Sequence, residues 1–277
     1  VGDVLAGIEL VSPIGTGTID ISSNAVSGVI NNGTSSYSRG ILVSNTGTTP
    51  YTIVSNDISN IQTVGGSGTI QPVGLEVTTS ATSAIIERNS VSAVYSRTTS
   101  SWGSWGVNLN GGNNITFRNN ILYDVKQDMT GGTTFSTANG VHGLRIAAGT
   151  GHKIYHNSIS LSGTNFGTSA ANLLSSAFTI VATTNTGIDV RNNIFSNTMS
   201  SSNAAAHVAM YLPSGATSSM NLILNNNAYY SGTTAARQGI AQVGTSIGTG
   251  FYLASNFVPG STSGTTNLRN YTSTLLV

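Results

Sequence analysis

The nine carboxylate side chains are the groups in this sequence best suited to acid–base chemistry or to binding a cation. A glycoside hydrolase places two carboxylates about 5–9 Å apart, and Ca²⁺ takes roughly six to eight oxygen ligands, several of them charged. The two closest along the chain are Asp124 and Asp128, in a segment typical of a solvated loop. The four histidines lack the spacing of metal ligands. We therefore assign no catalytic residue, no metal site and no cofactor.

Seven other side chains could bind a ligand. Tyrosine and tryptophan offer a large apolar face with a polar edge, and arginine pairs with acidic groups. The candidates are Glu87, Trp102, Trp105, Arg118, Tyr155, His156 and Arg191. They are spread along the chain, so they form a site only if the fold brings them together.

The composition excludes several classes of function. Only 7% of the 277 residues are charged, the formal net charge is +1, and there is no cysteine. A nucleic-acid-binding protein normally carries a basic stripe, which this sequence lacks. No apolar run is long enough to span a membrane as a helix. We therefore expect neither a nucleic-acid partner nor a membrane span.

One phrase, apolar-x-x-Asn-x-apolar, recurs eight times at intervals of 29–37 residues. A second phrase, a small residue followed by apolar-x-apolar, precedes each asparagine by 13–17 residues. Both phrases alternate with the period of a β-strand, and turn-forming residues lie between them. The segment nearest to a helical pattern is 169–178, which we interpret as one short turn at most. Strand-only repeats of this kind stack as the coils of a solenoid.

The repeated asparagine predicts a row of stacked amides. Asparagine tolerates the left-handed backbone conformation that a corner between two strands requires, and stacked asparagines bond from one coil to the next. We expect an inward ladder at a corner, rather than a row of sugar-binding amides, because one residue repeated eight times indicates a role in the fold. The ladder comprises Asn24, Asn56, Asn89, Asn120, Asn157, Asn193, Asn227 and Asn256.

Stacking of the coils would also align side chains that point outward. The first outward position of the asparagine phrase places Glu87, Arg118, Tyr155 and Arg191 on one face, and the next position places His156 beside Asn119 and Asn192. Such a face could bind an acidic or neutral glycan, although surface ion pairing explains it more simply.

Two further groups leave alternatives open. Glu76, Asn108 and Arg145 would lie in one outward row of the second phrase, where a cross-coil ion pair is a simpler interpretation than a small site. Trp102 and Trp105 lie in a variable segment, 95–106, that we interpret as a loop. They could stack on sugars or cover one flank of the core.

The phrases IYHNSISLSG at 154–163, VRNNIFSN at 190–197 and LILNNNAYYSG at 222–232 resemble the right-handed parallel β-helix repeats of the pectate-lyase-like superfamily. They are most similar to repeats in large secreted or surface proteins of Bacteroidetes-type bacteria. The resemblance covers about residues 7–260 and implies a right-handed coil. The fold class expected is therefore all-β, a right-handed parallel β-helix of about eight coils, forming a single domain over residues 1–277.

The function expected from these patterns is a non-catalytic, extracellular or cell-surface solenoid with a structural or adhesive role, such as a stalk, sheath or filament subunit. Neither the start nor the end of the sequence resembles a cap, so we expect a longer chain, or self-association through open solenoid ends. Polysaccharide is the other expected partner. The alternative is a polysaccharide lyase or glycoside hydrolase of the same fold.

Overall fold

The computed structural model describes residues 4–11, 17–33, 36–44, 47–65, 71–98, 102–127, 136–164, 173–201, 205–214, 218–234, 237–245, 250–257 and 272–275. Nearly all regular structure in these ranges is β-strand, and the only helical elements among them are two short 3-10 turns, Ser218–Met220 and Ala254–Phe257. The predicted all-β parallel solenoid is confirmed.

The strands form three sheets. The first sheet contains β1 (Val4–Leu10), β4 (Tyr37–Val43), β7 (Pro72–Val77), β10 (Ser104–Asn110), β14 (Val141–Ala148), β17 (Leu174–Ile180), β20 (Ala206–Leu212), β23 (Gln238–Val243) and β24 (Phe251–Tyr252). The second contains β2 (Ile19–Ser22), β5 (Tyr51–Val54), β8 (Ile85–Glu87), β11 (Thr116–Arg118), β15 (Lys153–Tyr155), β18 (Asp189–Arg191), β21 (Leu222–Asn225) and β25 (Thr272–Leu275). The third contains β3 (Ala25–Asn31), β6 (Asp57–Thr63), β9 (Ser90–Ser96), β12 (Ile121–Tyr123), β13 (Val125–Gln127), β16 (Ser158–Leu161), β19 (Ile194–Asn197) and β22 (Ala228–Ser231).

Most coils contribute one strand to each sheet, and these strands pair in parallel with those of the neighbouring coils. One coil contributes both β12 and β13 to the third sheet, where both pair with β9. Six full turns separate β1 from β20, which occupy equivalent positions. Alternation along each strand sends apolar side chains inward. Ile53, Ile86 and Phe117 occupy paired positions and stack along the axis with no exposed surface. The core is therefore a continuous column of stacked side chains.

The corner between the second and third sheets is a turn of two residues. The residue before each ladder asparagine has a positive φ, for example 56° at Asn119 and 57° at His156. We expected the ladder asparagine itself to adopt this conformation, and that detail was wrong. The amide of the ladder asparagine points inward. The residue before it adopts the left-handed conformation that forms the corner, and its side chain points outward.

A column of small residues lets the first sheet approach the third. The column runs Gly7, Gly40, Gly74, Gly106, Gly143, Ala177 and Ala209. A Cβ at Gly143 would lie 2.3 Å from Ile159 Cγ2 and 2.6 Å from the carbonyl oxygen of Ala177. Glycine at this position therefore sets the distance between the sheets.

The first sheet is buried on both faces over much of its length. Every residue of β17 and β20 is buried. The segment with the most helix-like sequence contributes β17, because strand pairing with β14 and β20 overrides its weak local preference. Residues on the outer face of this sheet are therefore largely withdrawn from solvent.

The eighth copy of the asparagine phrase does not form a corner. Asn256 lies in the 3-10 turn Ala254–Phe257, and its Oδ1 accepts a hydrogen bond from the backbone N–H of Leu253 at 2.8 Å. The strand just before it, β24, pairs with β23 in the antiparallel direction. Near the end of the sequence, β25 adds to the second sheet beside β21, where we expected no edge-covering element. The ladder therefore comprises seven of the eight predicted asparagines.

Candidate functional site

The predicted outward row lies on the second sheet. Glu87, Arg118, Tyr155 and Arg191 occupy directly paired positions on β8, β11, β15 and β18. The register follows because, in each of these strands, the outward residue comes directly after the inward apolar residue of the asparagine phrase. These four side chains therefore share one face of the solenoid.

One residue that the sequence analysis did not assign to this row, Asp189, completes it. Asp189 accepts hydrogen bonds from the Tyr155 hydroxyl at 2.7 Å and from Arg191 Nε at 2.6 Å. Glu87 pairs with Arg118 Nε at 2.5 Å and with Arg88 at 3.1 Å. Asp189 could have been found, because it lies two residues before Arg191 and therefore on the same face of the strand.

The row is an ion-pair network in which each of its two carboxylates contacts at least one arginine. Burial, followed by the hydrogen bond to Asp189 and the charge of that carboxylate, raises the pKa of Tyr155 to about 12. Tyr155 is therefore a neutral hydrogen-bonding group at physiological pH. The arginines are about half exposed, so these pairs contribute little to stability.

His156 lies where the sequence predicted, at the corner between Asn119 and Asn192. Its backbone N–H donates to the carbonyl of Arg191 at 3.2 Å, and that of Asn119 donates to Tyr155 at 3.1 Å. The imidazole is exposed. His156 therefore belongs to the corner row rather than to the ion-pair network.

The two tryptophans differ in environment. Trp105 is part of β10 rather than of a loop, and only 5% of its surface is exposed. The guanidinium of Arg145 lies 4.2 Å from the centre of its ring. Trp102 is half-buried. Trp105 is thus buried on the outer face of the first sheet, against Arg145, and presents no open face to a sugar.

A buried polar cluster lies on the outer face of the first sheet. Glu76 accepts hydrogen bonds from Arg39 and, at 2.7 Å, from Asn108 Nδ2, and Arg145 donates to Asn108 Oδ1 at 2.8 Å. Each of the four residues is less than 10% exposed. The predicted row is present, but the ion pair joins Glu76 to Arg39, and Asn108 separates Glu76 from Arg145.

The same cluster continues into the next coils. Arg145 Nε donates to the carbonyl of Thr137 at 3.0 Å, and burial lowers the pKa of Arg145 to about 10. Thr179 Oγ1 lies 2.8 Å from His142 Nδ1. Burial, with the charge of Arg145, holds the pKa of His142 well below its usual range. The cluster is thus sealed and hydrogen-bonded, and its clearest effect is to fix the outer face of the first sheet.

The asparagine ladder is satisfied at every interior step. Asn120 Nδ2 donates to Asn157 Oδ1 at 3.1 Å and to the carbonyl of Ile86 at 3.0 Å. Its Oδ1 accepts from both the Nδ2 and the backbone N–H of Asn89, each at 3.0 Å. The interior members from Asn56 to Asn193 are at most 3% exposed. These amides are therefore unavailable to a ligand.

A buried histidine forms a second polar cluster near β20. Ser175 Oγ lies 2.8 Å from His207 Nδ1, and Ser201 Oγ lies 3.1 Å from Nε2. Burial, with the charge of Arg237, lowers the pKa of His207 to about 4. An imidazole with so low a pKa is a weak general base at neutral pH. We therefore interpret this serine–histidine contact as structural.

The buried histidines predict acid sensitivity. The folded pKa of His207 lies below the unfolded value of 6.5, so the unfolded chain binds a proton that the folded chain does not. The contribution of His207 to stability is therefore greatest above pH 6.5 and falls as the pH drops toward 4, by about 2 kcal/mol between pH 7 and pH 5. Urea unfolding at the two pH values measures the loss.

His207→Gln is expected to reduce this pH-dependent difference by about 2 kcal/mol. His156→Gln is the control for the chemistry of the substitution, because His156 is exposed. His152, which is also buried and has a lowered pKa, adds to the effect. An unchanged pH dependence in His207→Gln would contradict the assignment.

Comparisons with family models, curated proteins and solved structures found no match to this chain. Within the described ranges, no three or more His, Asp or Glu side chains are grouped so that they could hold a metal ion. No helix of the described segments is long and apolar enough to cross a membrane. The functional argument therefore rests on the surfaces of the solenoid.

Proposed function

We propose that this chain is a non-catalytic β-solenoid of an extracellular or cell-surface protein, in which it acts as a rigid structural and adhesive element. The low charge and the Ser, Thr and Asn content support this proposal, as does the resemblance to right-handed repeats of secreted and surface proteins of Bacteroidetes-type bacteria. A stalk, sheath or filament subunit would use such a rod.

The state of the carboxylates is the observation that carries the proposal. Glu76, Glu87, Asp124 and Asp189 each contact a cationic side chain within the fold. Asp20 accepts a hydrogen bond from Thr52. A hydrolase needs two carboxylates that face each other across a substrate, whereas these four carboxylates each contact a cation of the fold.

Rigidity follows from continuous hydrogen bonding along the axis. Three sheets and the asparagine ladder all bond from coil to coil, so that bending the rod would strain several rows together. Growth at an open end is the proposed route of self-association. Within the described ranges, β1, β2 and β3 each pair with another strand on one side only, and an unpaired strand edge is a template for pairing.

A polysaccharide lyase or hydrolase is the second candidate. The alignment of Arg118, Tyr155 and Arg191 on one face favours it, because such a row could hold an acidic chain. In this alternative, Arg118 would contact the substrate directly.

Incubation with acidic and neutral polysaccharides separates the two candidates. We expect no new reducing ends and no unsaturated products from the wild-type chain. Turnover that disappears in Arg118→Ala would overturn the non-catalytic proposal, and Lys126→Ala, on β13 of the third sheet, is the control. Electron microscopy of the purified chain and of its source then tests the structural role, since dispersed particles in both samples would argue against assembly.

A further inference from the structure

The outer face of the third sheet carries an uncharged strip over four successive coils. We define the tyrosine strip as two outward rows on β12, β16, β19 and β22. One row is Ile121, Ser158, Ile194 and Ala228, and the other is Tyr123, Ser160, Ser196 and Tyr230. Side chains in each row occupy directly paired positions, so the rows run along the solenoid axis.

Large apolar side chains are unusually exposed on this strip. Tyr123 is 46% and Tyr230 is 59% exposed, and Ile121 and Ile194 are each 53% exposed. The two tyrosines end one row, three strand spacings or roughly 14 Å apart. Between them lie Ser160 and Ser196, whose short side chains project little from the surface of the sheet. The result is a shallow floor with an aromatic ring at each end.

A row of polar side chains borders the strip at the corner. Asn119, His156, Asn192 and Asn226 all have positive φ and are exposed. None of these four side chains makes a hydrogen bond within the part of the chain that the structure describes. Asparagine offers both donors and an acceptor, so the row can bond hydroxyl groups in either direction.

We propose that the tyrosine strip binds a neutral polysaccharide chain that lies along the solenoid axis. A sugar ring has an apolar face and a rim of hydroxyls, which matches rings and methyl groups beside serines and amides. The proposal rests on the adhesive function proposed above and names its ligand class and surface. It differs from the ion-pair row of the second sheet, whose charges would select an acidic ligand.

The absence of charged residues and the discontinuous apolar surface favour a neutral polysaccharide over a charged ligand or a protein partner. The strip has no Lys, Arg, Asp or Glu among its eight residues, so a charged ligand gains no attraction there. Ile121 and Ile194 are separated by Ser158 along their row. The apolar surface is therefore discontinuous, whereas the core of a stable protein interface is packed and predominantly apolar.

Calorimetric titration with soluble oligosaccharides tests the proposal. The probes are hexasaccharides of cellulose, xylan and mannan, with an oligogalacturonate of equal length as the acidic comparison. We expect at least one neutral probe to bind, with an affinity that changes little with salt, because no ion pair forms. Tyr123→Ala and Tyr230→Ala should each weaken binding roughly fivefold to tenfold, the scale of one aromatic contact.

Ile30→Ala is the matched control, because Ile30 is also an exposed apolar side chain of the third sheet but lies on β3, outside the strip. It should leave neutral-glycan binding unchanged. Ser160→Glu places a charge on the floor of the strip at an exposed position and should also reduce binding. Circular dichroism checks that each variant is folded.

Three outcomes would overturn the inference. They are the absence of binding to every neutral probe, binding that survives both tyrosine substitutions, and light scattering that shows a dimer lost in Tyr123→Ala. In the last case the strip is a contact between copies of the chain. None of these outcomes affects the turnover assay, so the non-catalytic proposal succeeds or fails separately.

Discussion

Asn120→Ala is expected to lower the free energy of unfolding by about 4 kcal/mol, because it leaves several buried polar groups without partners. The substitution removes the acceptor of the backbone N–H and Nδ2 of Asn89 and the donor to the carbonyl of Ile86. Since Asn120 is only 1% exposed, water cannot replace these bonds without opening the corner. The urea midpoint, followed by circular dichroism, measures the effect.

Asn256→Ala is the matched control, since the sequence pattern alone would give it the same role. Its Oδ1 caps a local turn instead, so we expect a loss below about 1 kcal/mol. Equal losses in the two variants would contradict the ladder assignment. Solenoids can unfold in segments, so the comparison uses midpoints at one pH and salt concentration.

The ladder was predictable because its signal is repeated. A single asparagine in a strand has many explanations, whereas a periodic series at a corner has one common physical cause. The positive φ was assigned one residue too late, because the pattern located the corner but did not distinguish its two positions. The position occupied by Asn119 and His156 varies in residue type from coil to coil, because only its backbone conformation is required and its side chain is exposed.

The positions of the second-sheet row were predictable for the same reason, whereas its ion-pair partners were predicted only in part. Counting from the inward apolar residue gave the register of Glu87, Arg118 and Tyr155. Which carboxylate each cation meets depends on side-chain rotamers, and the pairing of Asp189 with Arg191 was missed. The tyrosine strip has the same register, one and three residues after each ladder asparagine, but its residue types change from coil to coil and so give no repeated signal.

The burial of the first sheet could not be read from the sequence. Residues such as Trp105 and His142 alternate with core residues and therefore look like outward, solvent-facing positions. Their burial depends on what packs over the sheet, which local periodicity does not specify. The predicted cross-coil ion pair of Glu76 was right in kind, but its cation is Arg39, one coil earlier.

Glu76→Ala is expected to destabilise the fold by about 3–5 kcal/mol, because it leaves a buried guanidinium without its counter-charge. The side chains of Arg39 and Glu76 are only 6% and 8% exposed. Asn108 Nδ2 loses its acceptor in the same variant. A buried polar group that loses its partner lowers the free energy of unfolding far more than an exposed group, which can form hydrogen bonds with water. Urea unfolding measures this loss.

Glu87→Ala supplies the comparison that separates burial from charge. It also removes a carboxylate from an outward strand position, but Arg118 is 45% exposed and can be hydrated once released. We expect a loss of at most about 1 kcal/mol, smaller still at high salt. The double variant Arg39→Met with Glu76→Leu should recover much of the loss, because it removes both buried charges together. Equal losses of stability in Glu76→Ala and Glu87→Ala would contradict this assignment. The buried polar cluster on the outer face of the first sheet would then not stabilise the solenoid through desolvated charge, and its polar residues would need another role, such as binding.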